Sequence, residues 1–263
     1  MNIQNLVSAL SGGKLDHTLI QLYGHSEIEV LKQRARFINM AEHFSKLYPE
    51  HDEIHVFSVP ACTGIGGIHT SEHKGCILST AVTSDMTAIV GFHNDDIIRI
   101  KIDESEFFEV SLDSEPYEWV YSPLVLDIAE KFRKLGIETG GFDVYISSHI
   151  PCGYALSLND TFAVLIAGII DAYYNNNSLG ASKRAEICNY DENDISMNKI
   201  VCSLGGFVLA DLRNSSSAIN YIEFDFSRKG YSLCITKVGN SHDLKEAYPN
   251  ISGDEYEFYE SIS

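Results

Sequence analysis

Between Glu27 and Tyr48 the apolar residues Leu31, Ala35, Ile38, Ala41 and Leu47 recur near helical spacing with charges between them, which predicts an amphipathic helix laid on a sheet. The period then changes. EIHVFSV (53–59) alternates as a strand does, and three short β-branched runs follow, CILSTAV, MTAIVGF and IIRIKI. Asn94, Asp95 and Asp96 separate the last two and predict a hairpin turn. Ser122 and Pro123 open a second helix that carries Leu126, Ala129, Phe132 and Leu135 and stops at Gly136. GFDVYISS (141–148) is a strand that runs into IPCGYALSLNDTFAVLIAGII (150–170). From Thr161 to Tyr174 the chain is nearly all apolar, so this third helix is buried on most sides, and Asn175 to Asn177 end it. A polar helix over Ser182 to Asn189 precedes three further strands, GGFVLADL, INYIEFDF and YSLCITKV. Strands dominate the first half with helices covering them, so the class is α+β rather than a regular βαβ succession.

Composition narrows the partners. With 263 residues and 44% hydrophobic content the chain has enough apolar surface for one large core or two smaller ones. Its formal charge of −18, from 19 basic against 37 acidic side chains, argues against a nucleic-acid or anionic-membrane surface, since both need a basic footprint. No apolar run has the roughly 20 residues needed to cross a bilayer, and MNIQNLVSALSGGK lacks a signal pattern, so a cytoplasmic location is expected. Six scattered cysteines, Cys62, Cys76, Cys152, Cys188, Cys202 and Cys234, form no CxxC pair and fit reduced core thiols.

Three segments carry candidate chemistry. In the strand–turn–helix of 150–170, a helix start aims backbone N–H groups and partial positive charge at whatever precedes it, which suits an anion. Only Gly153 lets the backbone approach closely, Asp160 would repel phosphate, and Asn159 or Asp160 suits the cap position, so an ordinary strand-to-helix turn competes with a phosphate loop. In VPACTGIGGIHTSEH (59–73), Gly64, Gly66 and Gly67 make a close-approach loop. His69 and His73 with Cys62 form a metal set only if the segment is helical, against which the glycines argue. In NYDENDISMNKIVCSLGGFVLADLR (189–213), Asp191, Glu192 and Asp194 suit either magnesium or a solvated face, and Gly205 and Gly206 turn into a strand.

In this order the three segments resemble the three motifs of galactokinases, within the GHMP small-molecule kinase superfamily. The resemblance runs over nearly the whole chain. It implies a GHMP-kinase-like N-terminal lobe of mixed sheet and helices over 1–190 and the beginning of a C-terminal α+β lobe over 191–263. It also implies ATP and Mg2+ in the cleft, a galactose-like hexose as acceptor, and phosphoryl transfer to its anomeric hydroxyl.

Carried across residue by residue, the family's PGR and HTD appear as Pro60, Ala61, Cys62 and as His69, Thr70, Ser71. The catalytic arginine is thus Cys62, and the substrate-binding set is His69, Thr70 and Ser71, with serine in place of aspartate. The phosphate loop, similar to PxGSGLSSSAA, implies nucleotide contacts from Gly153, Tyr154, Ala155, Leu156, Ser157 and Asn159. Glu192 matches the magnesium glutamate, and MDQ becomes Met197, Asn198, Lys199. Asparagine accepts no proton at neutral pH, so the base expected at Asn198 is lost. The resemblance therefore implies a catalytically inactive or strongly impaired galactokinase-like protein, a pseudokinase with a scaffold or weak sugar- and nucleotide-binding role. The alternative is an active sugar kinase with altered residues. The family continues beyond the position of Tyr248, so a homo-oligomer covering unpaired strand edges is a further expectation.

Overall fold

The computed structural model describes residues 1–67, 75–105, 107–113, 119, 121–151, 156–189, 196–211, 218–224, 226 and 229–236. The chain opens with three helices, α1 (Ile3–Ser11), α2 (Asp16–Tyr23) and α3 (Glu27–Leu47). Asn2 caps α1 by accepting from the Asn5 N–H at 2.8 Å, and Ser26 holds the cap position of α3. The first two helices were not foreseen, because Leu6, Leu10, Leu19 and Tyr23 are their only buried side chains and eight or nine residues make a short pattern. α3 matches its expected span but turns a different face inward. Val30, Phe37, Met40, Ala41 and Phe44 are buried, whereas Leu31 and Leu47 are 59% and 42% exposed.

The sheet is built from β1 (His55–Gly67), β2 (Cys76–Phe92), β3 (Ile97–Ile102), β4 (Phe107–Ser111), β5 (Phe142–Ser148), β6 (Phe207–Asp211) and β7 (Ala218–Ile222). CILSTAV and MTAIVGF are one 17-residue strand rather than two short ones. β1 takes in Gly64, Gly66 and Gly67, expected in a loop, and absorbs them through register shifts at Pro60/Cys62 and Gly64/Gly66. At Gly67, with φ of +110°, a Cβ would collide with the Cys76 carbonyl, so only glycine lets the two strands close.

β2 is the spine. Its partner along one side is β1, with Val59 opposite Met86 and Thr63 opposite Thr80. Its other side is shared end to end: Met86–Phe92 pair with β5, and Cys76–Thr80 pair with β6. β3 and β4 extend the sheet beyond β5, and β7 extends it beyond β6. β3 does not form the expected hairpin with β2. β5 inserts between them and lies parallel to β3, and the 94–96 turn passes the start of β5, where the Gly141 N–H donates to the Asp95 carbonyl at 2.7 Å. No strand forms over 231–236, where YSLCITKV was expected to supply one.

Helices cover both faces. α1, α2 and α3 pack over Ile89 and Tyr145, which oppose one another in register. The opposite face, carrying Ala88, Val90, Val144 and Ile146, receives α4 (Ser122–Lys134), α5 (Leu158–Tyr174), α6 (Ala181–Ile187) and α7 (Met197–Leu204). This alternation is the period-2 signature of a strand buried on both sides. Where β2 divides between its partners, Asp85 is buried and collects Arg36 at 2.6 Å, Tyr23 at 2.6 Å and Ser58 at 2.8 Å. Arg36 also donates to the Ser147 carbonyl at 2.7 Å, which ties α3 to β5.

Of the six cysteines, Cys62, Cys188 and Cys202 are buried as expected, but Cys76 and Cys234 are exposed. Cys152 lies outside the described residues. No described helix is long and apolar enough to cross a membrane.

Candidate functional site

The three motif segments meet at Cys62. Its β1 position, just past a register shift, turns the thiol toward the layer in which α5 and α7 pack on this strand. Cys62 Sγ lies 3.1 Å from Ser157 Oγ at the start of α5. It also lies 3.6 Å from Asn198 Oδ1 and 3.7 Å from the Asn198 carbonyl in the first turn of α7. Residues 95 and 136 positions apart in sequence thus converge on one fully buried sulfur.

Ser157 sets the geometry of the second segment. It adopts a left-handed conformation with φ of 60°, uncommon outside glycine and asparagine, and its carbonyl receives both the Thr161 N–H at 2.8 Å and the Thr161 hydroxyl at 2.9 Å. α5 therefore begins at Leu158, three residues before the expected Thr161, and Asn159 and Asp160 stand inside its first turn instead of capping it. Released from capping, they bond elsewhere. Asn159 Oδ1 accepts from Tyr121 OH at 2.5 Å, although the residue remains exposed. Asp160 Oδ2 accepts from Asn198 Nδ2 at 3.1 Å, and Oδ1 lies 3.5 Å from Ser196 Oγ and 3.8 Å from Lys199 Nζ. Leu156 is buried beneath this turn.

The thiol environment is asymmetric. Hydrogen bonds from Cys202 and then Ser157 hold the Cys62 thiol below its ordinary range, against the opposing pull of burial and of Asp160. Cys202 moves the opposite way, raised by its bond to Cys62 and by burial. Cys188 is pushed up to about 12 by burial alone as the leading cause.

Of the expected site residues, the structure brings together Cys62, Ser157 and Asn198, with Asn159 two residues beyond Ser157 in the first turn of α5. His69, Thr70, Ser71, Gly153, Tyr154, Ala155 and Glu192 lie outside the described residues, as do His73, Asp191 and Asp194. What sequence reasoning missed is the linking role of Asp160, Ser196, Lys199 and Tyr121. A carboxylate three residues past a serine and a lysine beside an asparagine were visible, but no periodicity says that α5 and α7 place them side by side. A second polar knot lies at the other end of the sheet, where the Glu50, His51 and Asp143 ligand atoms come within 4.8 Å of one another. There Asp143 is already engaged by His51 at 2.6 Å and by His93 and Arg99, each at 3.2 Å, so the arrangement is an ion-pair network.

No protein-family model matches the chain. It is 24% identical over 233 residues to the galactokinase of Streptomyces coelicolor, a stretch that covers 79% of this chain and 56% of that protein. Among solved structures, Lactococcus lactis galactokinase complexed with galactose superposes with a TM-score of 0.60 at 17% identity, covering 70% of this chain and 51% of that one. Methanococcus jannaschii mevalonate kinase superposes with a TM-score of 0.56 at 15% identity, covering 80% of this chain and 70% of that one. This chain spans about half the length of the two galactokinases.

Proposed function

This chain is a galactokinase-like protein with the GHMP kinase fold, and from that premise we propose that it binds magnesium–ATP and a galactose-like hexose but transfers phosphate with strongly impaired efficiency. The observation that carries this reading is the contact of Cys62 with Ser157 and Asn198. At the meeting point of the three motifs a buried thiol stands where the resemblance places an arginine, and an amide stands where it places a carboxylate.

The physical consequence follows from what phosphoryl transfer demands. Catalysis of this reaction is mostly positioning and stabilisation of charge on the transferring group. A buried thiol with neutral partners supplies no full positive charge, and an asparagine amide takes no proton. The anion-directed features are retained in part: α5 starts at this point, and its first-turn N–H groups and dipole favour a phosphate oxygen. Against them stands the Asp160 carboxylate, which Lys199 partly offsets. Binding therefore survives better than chemistry.

Calorimetric titration with magnesium–ATP and with galactose, together with 31P NMR of the mixture, tests the reading. The expected result is measurable binding with sugar phosphate accumulating orders of magnitude more slowly than the roughly 1–100 per second of ordinary kinases. Turnover at that ordinary rate overturns the impairment, and the absence of heat with both ligands overturns the binding.

A further inference from the structure

We infer that the Asp143 network at the far end of the sheet is a zinc site, in which the ion takes the place of one arm of the Arg99 guanidinium. The sheet sets the groups side by side. Gly91, Asp143 and Arg99 lie abreast on β2, β5 and β3. His93 stands two residues beyond Gly91 and so shares its face. The His51 ring occupies the space that a side chain at Gly91 would fill, and from there its Nε2 reaches Asp143 Oδ2 at 2.6 Å. Glu50 precedes it in the turn after α3, and the ligand atoms of Glu50, His51 and Asp143 lie within 4.8 Å of one another.

The direction of the hydrogen bonds points to a metal. A guanidinium only donates, so His93 Nε2, which Arg99 reaches at 3.0 Å, holds a lone pair and the ring proton rests on Nδ1. That Nδ1 lies 2.8 Å from Asp95 Oδ1, short of hydrogen-bond alignment but in the place of the carboxylate that orients a metal-ligating histidine. On the other side of the ring, His93 Nε2 and Asp143 Oδ1 are 3.2 Å apart, and Arg99 reaches that oxygen too, at 3.2 Å. A nitrogen lone pair and a carboxylate oxygen therefore converge on the same cationic group. Zinc bonds of about 2.0–2.2 Å in a tetrahedron set neighbouring ligand atoms about 3.3 Å apart, close to that spacing.

Charge favours the exchange. Asp95 at 2.9 Å, Asp143 at 3.2 Å and Glu109 at 3.3 Å share the Arg99 guanidinium, and Glu50 brings a fourth carboxylate to its positive charge. As zinc enters, the guanidinium tilts NH1 away while keeping Glu109 on Nε and Asp95 on NH2. The ligands are Nε2 of His51 and of His93 with one oxygen each from Asp143 and Glu50, and the His51 proton passes through solvent from Nε2 to Nδ1. Two imidazoles with two carboxylates suit zinc, whereas magnesium and calcium prefer oxygen throughout. Glu50 is exposed and the His93 side chain keeps 19% of its surface, which leaves a path of entry. Bound there, zinc ties the turn after α3 to β5 and to the end of β2 and so holds the first helical layer on the sheet.

The full chain, stripped of metal by a chelator and kept free of nucleotide, is titrated with zinc chloride by calorimetry, with histidine ring signals followed by NMR and melting by scanning calorimetry. One zinc per chain is expected, with the ring signals of His51 and His93 displaced among those of the ten histidines. At free zinc about 100 times its Kd, Tm is expected to rise by about 5 °C. Magnesium at the same concentration is expected to do neither. His93→Gln, which removes one ligand at a partly exposed position, is expected to weaken zinc binding about 100-fold, and Arg99→Gln, which removes the competing cation, to tighten it about 10-fold. No zinc binding by the wild-type chain, binding that leaves the His51 and His93 signals in place, or unchanged zinc affinity in His93→Gln overturns the site. Equal or weaker affinity in folded Arg99→Gln overturns the exchange with the guanidinium. The wild-type ring signals decide the matter even where a variant fails to fold.

Discussion

Cys62 Sγ lies 3.1 Å from Ser157 Oγ, and that single contact joins the middle of the sheet to the start of the helix that runs beneath it. Because Cys62 is fully buried, its lowered thiol range does not make it reactive: access is denied even though ionisation is favoured.

Native thiol labelling separates these effects. With iodoacetamide and peptide mass spectrometry, Cys76 and Cys234 are expected to be modified in the folded protein. Cys62, Cys188 and Cys202 are expected to be modified only in denaturant, where unfolding exposes all three. Rapid native modification of Cys62 would mean that the three motifs do not close on it.

The Arg36–Asp85 pair is expected to behave as a buried ion pair, with both side chains under 10% exposed and 2.6 Å apart. Arg36→Ala leaves Asp85 with only Tyr23 and Ser58, and a loss of about 3–5 kcal/mol in urea unfolding is expected. Replacing both partners, Arg36→Met with Asp85→Leu, is expected to cost much less, since no uncompensated charge remains. Equal losses in the single and double variants would contradict this account.

His55 gives a pH signature. Its ring is half-buried against Phe92 and Tyr173, with centroids 5.3 and 6.1 Å away, and burial holds the imidazole below its ordinary value despite Glu53. The unfolded chain therefore binds a proton more readily than the folded one near pH 6, and unfolding free energy rises with pH there. The contribution is complete above about pH 6.5 and is lost as pH falls below it, levelling off beneath the folded value. Urea midpoints of His55→Gln measured from pH 7.5 to 5 are expected to show a shallower fall than wild type. An identical slope would remove His55 as the cause.

Gly91 lies under the His51 ring, so that a Cβ there would run into the imidazole. Gly91→Ala is expected to destabilise the protein by about 1–3 kcal/mol through overpacking. It should also break the 2.6 Å contact between His51 and Asp143, visible as a displaced His51 ring resonance in NMR at fixed pH. A neutral effect on melting would show that His51 moves aside at no cost.

The sequence carried the element types well and their company poorly. α3, α4, β3, β5 and α5 were legible from periodicity and turn residues, and α+β class followed from their order. The two halves of β2 looked like separate strands because Thr83 to Asp85 interrupts the apolar pattern, yet the polar Asp85 is satisfied by a guanidinium from another element. Likewise Leu31 and Leu47 obeyed helical spacing on the wrong face, since Gln33 and Arg36, which read as surface residues, are buried by their partners. At the site, Cys62, Ser157 and Asn198 were nominated by motif order, whereas Asp160 was seen only as a repulsive charge or a helix cap. Its bond to Asn198 depends on how two helices pack, which no local pattern encodes.

The shared spine strand has a kinetic corollary. β2 joins β1 across a short connection, but its other neighbours arrive much later in the chain, with Phe142 opposite Phe92 and Asp211 opposite Cys76. Until β5 and β6 dock, one side of β2 is an open template of backbone donors and acceptors. Such long-range closure is slow, and a chain held at that stage is the form most exposed to intermolecular strand pairing. Once closed, the amides of Met86 to Val90, paired on both sides, should be among the last to exchange with solvent deuterium, while those of β4 and β7 should exchange early.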